Sequence, residues 1–334
     1  MNLYLDSGFI DQQSIYKAAL KNGAAYIVEI GARQVGKTYG TLQLILKSKK
    51  PFIFMRRTQT EIDLINSGAV NPFTAIDPDV TIKRDTKNTG IILRDDQPIG
   101  MTVALSTISK IRGFYAEDYE YLIYDECIPE NHVSRMRYEE DAFLNAIVTI
   151  SGNRELKGKP PLLTWLLANS NNISAAVIRA LDIGDKVDQM IRAGQEISIL
   201  SERGIIIVIP HSEEILEKRR TGAGVAAVNR NSRFYKMAYE NQFAYNDYGQ
   251  VKKQPIIEYK LICSVAERFT VYKHKSKDIL YITENAGPGS IGNNANGKRK
   301  LFSHFPNIKL YFINDRIFFD KITTKEIFVD FLKT

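Results

Sequence analysis

The chain reads as an α/β protein. A parallel sheet covered by helices is expected over residues 1–210, a helical linker over 211–248, and a small β-rich domain over 249–334. Three observations carry that expectation. A short apolar strand, Ala25–Ile30, runs into Gly31-Ala32-Arg33-Gln34-Val35-Gly36-Lys37-Thr38, and a helix-like stretch, Tyr39–Lys47, follows. Apolar runs alternate with amphipathic stretches up to residue 210, the pattern of β-α-β units. A second apolar run from Tyr119 ends in the adjacent acids Asp125 and Glu126.

Residues Gly31–Thr38 have the spacing G-x-x-x-x-G-K-[ST] of a phosphate-binding P-loop. Gly31 and Gly36 are expected to let the backbone turn tightly, so that successive N–H groups face a phosphate. Lys37 would set an ammonium on the β- and γ-phosphates of ATP, and the Thr38 hydroxyl would bind Mg²⁺. The helix after Gly36 turns its positive end to the same anion. The strand before and the helix after separate this reading from a chance match in a glycine-containing turn.

The strands and helices follow in order. Residues 10–21 form an amphipathic helix leading into the P-loop strand. Pro51–Met55 is a second core strand ending in Arg56-Arg57, and residues 58–67 are helical. Val80–Lys83, Ile91–Arg94 and Met101–Leu105 are strands, the last two joined by the turn Asp95-Asp96-Gln97-Pro98. After Asp125-Glu126 come a helix over 138–152, a buried strand at Leu162–Ala168 ending in Asn169, helices near 174–182 and 185–193, and a strand at 204–209. Helices over 212–220 and about 232–243 make the linker. Beyond 249, strands are expected at 256–265, 269–275, 279–283, 309–314 and 317–319, with a final helix from Thr324. Asn285–Lys300, rich in Gly and Asn, reads as a mobile basic loop.

Length and composition narrow the function classes. A chain of 334 residues, 44% of them hydrophobic, suggests two well-cored domains. No apolar run approaches the ~20 residues of a membrane span, so no membrane partner is expected. The N-terminus lacks the basic and apolar regions of a signal peptide. Two cysteines, Cys127 and Cys263, make neither a disulfide framework nor a zinc site, which fits a reducing cytoplasm. The net charge of +7 is confined: residues 249–334 hold 15 Lys and Arg against 8 Asp and Glu, and the rest of the chain balances at 30 against 30. Such a basic excess points to a polyanionic partner for the C-terminal domain; a basic face that serves solubility is the alternative.

Asp125 and Glu126 give the second chemical clue. In an open α/β sheet, ligands bind beyond the carboxyl ends of the strands, where these acids would stand beside the P-loop. Asp125 would hold Mg²⁺ through its water shell, and Glu126 would polarise an attacking water as general base. A kinase transferring phosphate to a substrate hydroxyl has no need of that base, so the pair favours hydrolysis coupled to motion. Asn169, at the end of its strand, is read either as a sensor of the γ-phosphate or as the cap of the next helix.

These landmarks, with Arg56-Arg57, Leu105-Ser106, Arg112, Asn153-Arg154-Glu155, Leu167-Ala168-Asn169-Ser170 and Asn241-Gln242-Phe243, occur in an order that resembles the DNA-packaging ATPases (encapsidation proteins) of small short-tailed bacteriophages. These are compact relatives of terminase large subunits, and the likeness is specific over residues 25–170. It implies a RecA-like P-loop NTPase of the additional-catalytic-glutamate class, with a C-terminal domain resembling an RNase H-like nuclease. It also implies a homo-oligomeric ring, five copies by family expectation, acting in the host cytoplasm and transiently at the portal vertex. That ring would drive viral double-stranded DNA into a procapsid, and a scaffolding RNA is a further partner.

The same resemblance assigns arginines. Arg33 would approach the γ-phosphate of its own site, while Arg154 and Arg112 would act on a neighbour's nucleotide. For Arg154, a salt bridge with Glu155 or a plain surface charge is the alternative. A nuclease centre needs clustered acids for two metals, whereas the first C-terminal strand carries only Glu258, so no nuclease activity is expected. Two rivals share Lys37, Asp125 and Glu126: a helicase- or segregation-type DNA motor, and a nucleotide-gated binding protein. Against the helicase stands the lack of a second RecA-like core or paired helicase motifs.

Overall fold

The computed structural model describes residues 1–111, 118–130, 136, 138–170, 175–220, 235, 250–265, 268–284, 290–292 and 294–333. It divides into two compact units, Met1–Leu181 with Gln189–Tyr245, and Asp182–Asp188 with Asn246–Thr334.

The first unit is built on a nine-stranded sheet in the order β3-β4-β5-β2-β6-β7-β1-β9-β8. The strands are β1 (Tyr26–Gly31), β2 (Phe52–Arg56), β3 (Val80–Arg84), β4 (Thr89–Arg94), β5 (Gln97–Ala104), β6 (Tyr121–Asp125), β7 (Leu163–Asn169), β8 (Ile197–Leu200) and β9 (Ile205–Val208). From β5 to β9 the neighbours run parallel. The sheet is nevertheless mixed, not parallel throughout, because β3, β4 and β8 add antiparallel pairings at its two edges. The β4–β5 hairpin explains one edge: Asp95 and Asp96 both take left-handed backbone, φ 51° and 58°, the geometry of a tight two-residue connection. Strand β8 was not foreseen, since four residues of an edge strand leave almost no periodicity to read.

Both faces of the parallel core are covered, which is why its strands read as unbroken apolar runs. On one face, Ile27, Phe54, Ile123 and Trp165 pack with Ile15 of α1 (Gln12–Lys21), Leu42 and Ile45 of α2 (Lys37–Ser48), and Ile62 of α3 (Gln59–Asn66). Thr58 and Glu61 close the start of α3 as a capping box. On the other face, Phe143 of α4 (Glu139–Ser151) stacks on Tyr124 at 6.1 Å between ring centroids. The later helices α5 (Ala176–Ala180), α6 (Gly184–Ala193) and α7 (Glu213–Arg220) follow the expected order. Residues 221–227, the helix expected over about 232–243, and Asn241-Gln242-Phe243 fall in a stretch of which only Tyr235 is described.

The second unit has a five-stranded sheet, β13-β10-β11-β12-β14, from β10 (Tyr259–Val265), β11 (Phe269–His274), β12 (Leu280–Thr283), β13 (Ser290–Ile291) and β14 (Ile317–Phe319). Phe328 and Phe331 of its last helix, α10 (Ile322–Lys333), meet Phe269 edge-on at 5.5 and 5.4 Å. Two expectations are corrected here. Residues 309–314 are not a strand but part of helix α9 (Ile308–Ile313): Ile308 is buried while Leu310 and Ile313 are exposed, so alternation along a strand would have misplaced them. Lys298, Arg299 and Lys300 belong not to a loop but to helix α8 (Ala295–His304), whose start is capped by the Asn294 side chain. Residues 285–289 and 293 of the expected loop lie outside the described residues.

One ion pair locks the end of β2. Arg57 donates Nε–H to Glu139 Oε1 at 2.6 Å and an Nη2–H to Oε2 at 2.9 Å, and both residues are buried. Such a fork-to-fork contact ties β2 to the first turn of α4. Removing one partner of a buried pair strands the other charge, at about 3–5 kcal/mol. Glu139→Ala should therefore lower the thermal midpoint by on the order of 10 °C; an unchanged melting curve would mean that Arg57 finds adequate partners elsewhere.

Candidate active site

The P-loop lies at the carboxyl end of β1, and β7, β6 and β2, in that order to one side of it, carry the other site residues. Its two glycines serve different needs. Gly36 takes left-handed backbone, φ 94°, as does Gln34 at φ 60°, so the turn is made there. Gly31 keeps an ordinary φ; a Cβ on it would lie 2.9 Å from Pro210, which follows β9, so its smallness serves close packing and not a turn. An N-terminal segment braces the loop from outside: the N–H of Ile10 donates to the carbonyl of Val35 at 3.0 Å, and Phe9 lies against Gly36. Val35 and Ala32 are buried, which leaves the loop backbone little freedom.

Lys37 opens α2 and is only 7% exposed. Its ammonium donates to the carbonyls of Gly31 and Ala32 at 3.0 and 2.6 Å. The Thr38 hydroxyl donates to Asp125 Oδ1 at 2.9 Å, across 87 residues of chain. This contact joins the two motifs at one point. Two hard oxygens together match the chemistry of Mg²⁺, which takes one or two protein ligands and completes its shell with water and phosphate. Among the described residues no group of three or more His, Cys, Asp or Glu side chains could hold a metal.

Glu126 follows directly after β6, in left-handed backbone at φ 54°. A non-glycine residue rarely sits there, and such strain is found where a side chain must be aimed. The aim is set by Arg56, at the end of β2 beside β6. Its guanidinium reaches Asp125 Oδ2 at 2.7 Å and Glu126 Oε2 at 2.6 Å. One cation thus balances two adjacent carboxylates, one buried and one exposed. Arg56 closes β2 and Arg57 follows it: the first enters the site and the second pins α4.

The remaining candidates divide. Asn169 pairs in register with Gly31 across β1 and β7, next to the site, and Ala175 occupies the cap position of α5; the capping alternative for Asn169 therefore falls away. Arg33 is ion-paired to Glu130, just beyond the acids. Arg112 lies outside the described residues. Arg154 is held by backbone carbonyls. It is 4% exposed, and its guanidinium donates to the carbonyls of Pro160 at 2.9 Å and Tyr119 at 2.6 Å. Tyr119 precedes β6, at the end of the strand opposite Asp125, so these two bonds tie Arg154 to loops at that end; Glu155 is not its partner among these bonds. Sequence reasoning overlooked Arg56 as a site residue, although a charge closing an apolar strand was its visible signal. It also passed over Glu29, the one acid inside the apolar run of β1.

Arg56→Ala would leave Asp125 and Glu126 without their shared cation. ATP turnover should drop about tenfold or more, within the range of groups that set up proton transfer, while nucleotide affinity shifts by less than about threefold. Unchanged turnover in a steady-state assay would show that Arg56 is a bystander.

Comparison with known proteins agrees with this geometry. The family profile described as podovirus DNA encapsidation protein (Gp16) matches residues 17–291. Among solved structures, the chain is similar to one in the bacteriophage Phi-29 viral genome packaging motor assembly, with a TM-score of 0.62 and 17% identity over 99% of both chains. It is also similar to the Phi-28 gp11 DNA packaging motor, with a TM-score of 0.57 and 16% identity over 95% of this chain and 97% of that one. At such identities the likeness is one of fold. Comparison with curated proteins gave no match. The profile spans the P-loop, the acids of β6 and most of the C-terminal strands, and on that ground the chain belongs to the podovirus DNA encapsidation protein (Gp16) family and is a DNA packaging ATPase.

Proposed function

We propose that this ATPase is a RecA-like motor of the additional-catalytic-glutamate class, in which Lys37 binds ATP phosphates and Glu126 activates the attacking water. The observation that carries the reading is the 2.9 Å contact of Thr38 with Asp125, which brings the phosphate loop and the acidic strand end together. Gly31–Thr38 would surround the phosphates with backbone N–H groups, and Lys37 would exchange two carbonyls for phosphate oxygens. Thr38 and Asp125 would hold Mg²⁺, which when bound neutralises charge on the β- and γ-phosphates. Glu126 accepts the proton of the attacking water at a carboxylate oxygen. Arg56 engages Oε2 of that carboxylate, which leaves Oε1 to take the proton while the guanidinium holds the group in place. Asn169, beside Gly31, is placed to register loss of the γ-phosphate, and Arg33 to approach it after leaving Glu130. Arg154, with Arg112, is proposed to act on a neighbouring subunit's nucleotide, for which the Arg154 guanidinium would exchange the carbonyls of Pro160 and Tyr119 for phosphate oxygens.

The domain assignment proposed is 1–210 for the ATPase, 211–248 for a linker, and 249–334 for a nuclease-like domain turned to binding. No helix among the described residues is long and apolar enough to cross a membrane. The C-terminal excess of seven positive charges favours phosphate backbones as ligand, with α8 presenting Lys298, Arg299 and Lys300 in succession. Double-stranded DNA, the portal or procapsid, and a scaffolding RNA are the partners this fits. The working form is a homo-oligomeric ring, five copies by family resemblance, assembled in the host cytoplasm and docked transiently at the portal vertex. No cleavage of DNA is part of the proposal.

Double-stranded DNA should stimulate ATP hydrolysis several-fold, with stimulation falling steeply as salt rises, and Lys37→Ala should abolish both basal and stimulated turnover. Strand displacement on a forked duplex would favour a helicase instead. A rate indifferent to DNA would favour a nucleotide-gated binding protein.

A further inference from the structure

Beneath the P-loop lies a charged group that the hydrolytic site does not use. Glu29 is fully buried on β1, flanked by β7 and β9 at Leu167 and Val208. Its two oxygens are separately engaged. Oε1 accepts from the indole N–H of Trp165 on β7 at 2.6 Å, and Oε2 accepts from the side-chain amide of Gln12 on α1 at 2.8 Å. The same amide nitrogen stands 3.4 Å from the carbonyl oxygen of Lys37. Gln12 reaches this position because residue 40 is glycine; a Cβ there would lie 2.8 Å from the Gln12 side chain. The cluster is therefore built by α1, α2, β1 and β7 together.

Two donors orient the carboxylate but do not neutralise it. Gln12 and Trp165 carry no charge, and the charge acting on Glu29 from the elements packed against it is the ammonium of Lys37 on α2. That ammonium is itself nearly excluded from water and donates to the carbonyls of Gly31 and Ala32. An isolated buried ion is costly, and a buried pair of opposite charge much less so. In the absence of nucleotide the two charges balance each other. A polyphosphate entering the loop takes the ammonium for itself and adds negative charge nearby, so the carboxylate of Glu29 then lacks compensation.

We propose that Glu29 is the counter-charge of Lys37 in the nucleotide-free P-loop, and that it takes up a proton from solvent when a nucleotide binds. The proton has a place to go. The amide oxygen of Gln12 is buried and has no hydrogen-bond partner among the described residues. Rotation of that amide would present the oxygen to a protonated Glu29 carboxyl. Burial lifts the carboxyl to about 7, against the opposing effects of Gln12, Trp165 and Lys37, so the exchange falls near neutral pH. The sign follows. Binding raises the proton affinity of Glu29, so nucleotide affinity is greatest below pH 7 and weakens as pH rises through it. Glu29 is thus a positioning residue of the nucleotide site, acting through Lys37, and the inference rests on the ATPase reading.

The test is the affinity of the full chain for a fluorescent methylanthraniloyl-ADP with Mg²⁺, measured from pH 6 to 8.5, alongside thermal melts. The wild type should weaken by about three- to tenfold across that range, tenfold corresponding to one unit of displacement in the carboxyl. Glu29→Gln should remove that part of the slope and bind more tightly than wild type at pH 8.5. Gln12→Leu and Trp165→Phe each delete one donor to the carboxylate, and each should move the fall to higher pH; they carry the test if Glu29→Gln fails to fold. A Glu29→Gln profile parallel to wild type, or profiles of the two donor variants that coincide with it, would overturn the proposal and leave the ATPase reading intact. A wild type that binds no nucleotide at any pH would overturn both.

Discussion

The ammonium of Lys37 is held out of water at the carboxyl end of β1, and the rest of the structure is arranged around the charge balance this demands. A buried cation needs oxygen close by. Here the carbonyls of Gly31 and Ala32 supply direct bonds, and Glu29 supplies opposite charge from the strand below. Two strands away across the sheet the problem has the reverse sign. Asp125 and Glu126 bring negative charge to the end of β6, and Arg56 meets it from β2. The Thr38–Asp125 hydrogen bond spans the gap between these two balanced groups. ATP with Mg²⁺ would bring both signs at once, which is what such a pair of internally compensated half-sites is suited to accept.

Packing explains why those charges stay in place. The parallel core is apolar on both faces, so strand ends are fixed by cores that do not depend on the site. Arg57 and Glu139 then fix the end of β2, which aims its neighbour Arg56. Arg154 does similar work at the opposite end of β6 by bonding the carbonyls of Pro160 and Tyr119. The P-loop is held on two sides, by Pro210 against Gly31 and by the N-terminal segment through Ile10 and Val35.

Much of this was legible in the sequence wherever a requirement is local. A P-loop needs its glycine and lysine at set spacing, and a buried parallel strand needs consecutive apolar residues, so β1, β2, β6 and β7 and the residues Lys37, Thr38, Asp125 and Glu126 could be placed in advance. Requirements met across the fold were not legible. Gly31 looks like a turn residue until Pro210 is seen against it. Nothing near Arg154 in the chain announces the carbonyl of Tyr119 that helps to hold it. Arg56 and Glu29 were visible as charges in apolar strands, but their partners on β6, α1 and β7 come from the sheet order. Short segments at the margin, β8 and α9, misled for another reason: four to six residues show too little period to separate strand from helix.

The central claim is that Glu126, next to the Thr38–Asp125 contact, supplies the base for hydrolysis. Single-turnover measurement of ATP cleavage by Glu126→Gln tests it most directly. That isostere keeps size and hydrogen bonding but cannot take a proton. ATP should still bind with wild-type affinity or better, while cleavage slows by at least about a hundredfold, the scale of a lost general base. Cleavage at the wild-type rate, with ATP saturating, would contradict the account and move the base to another residue.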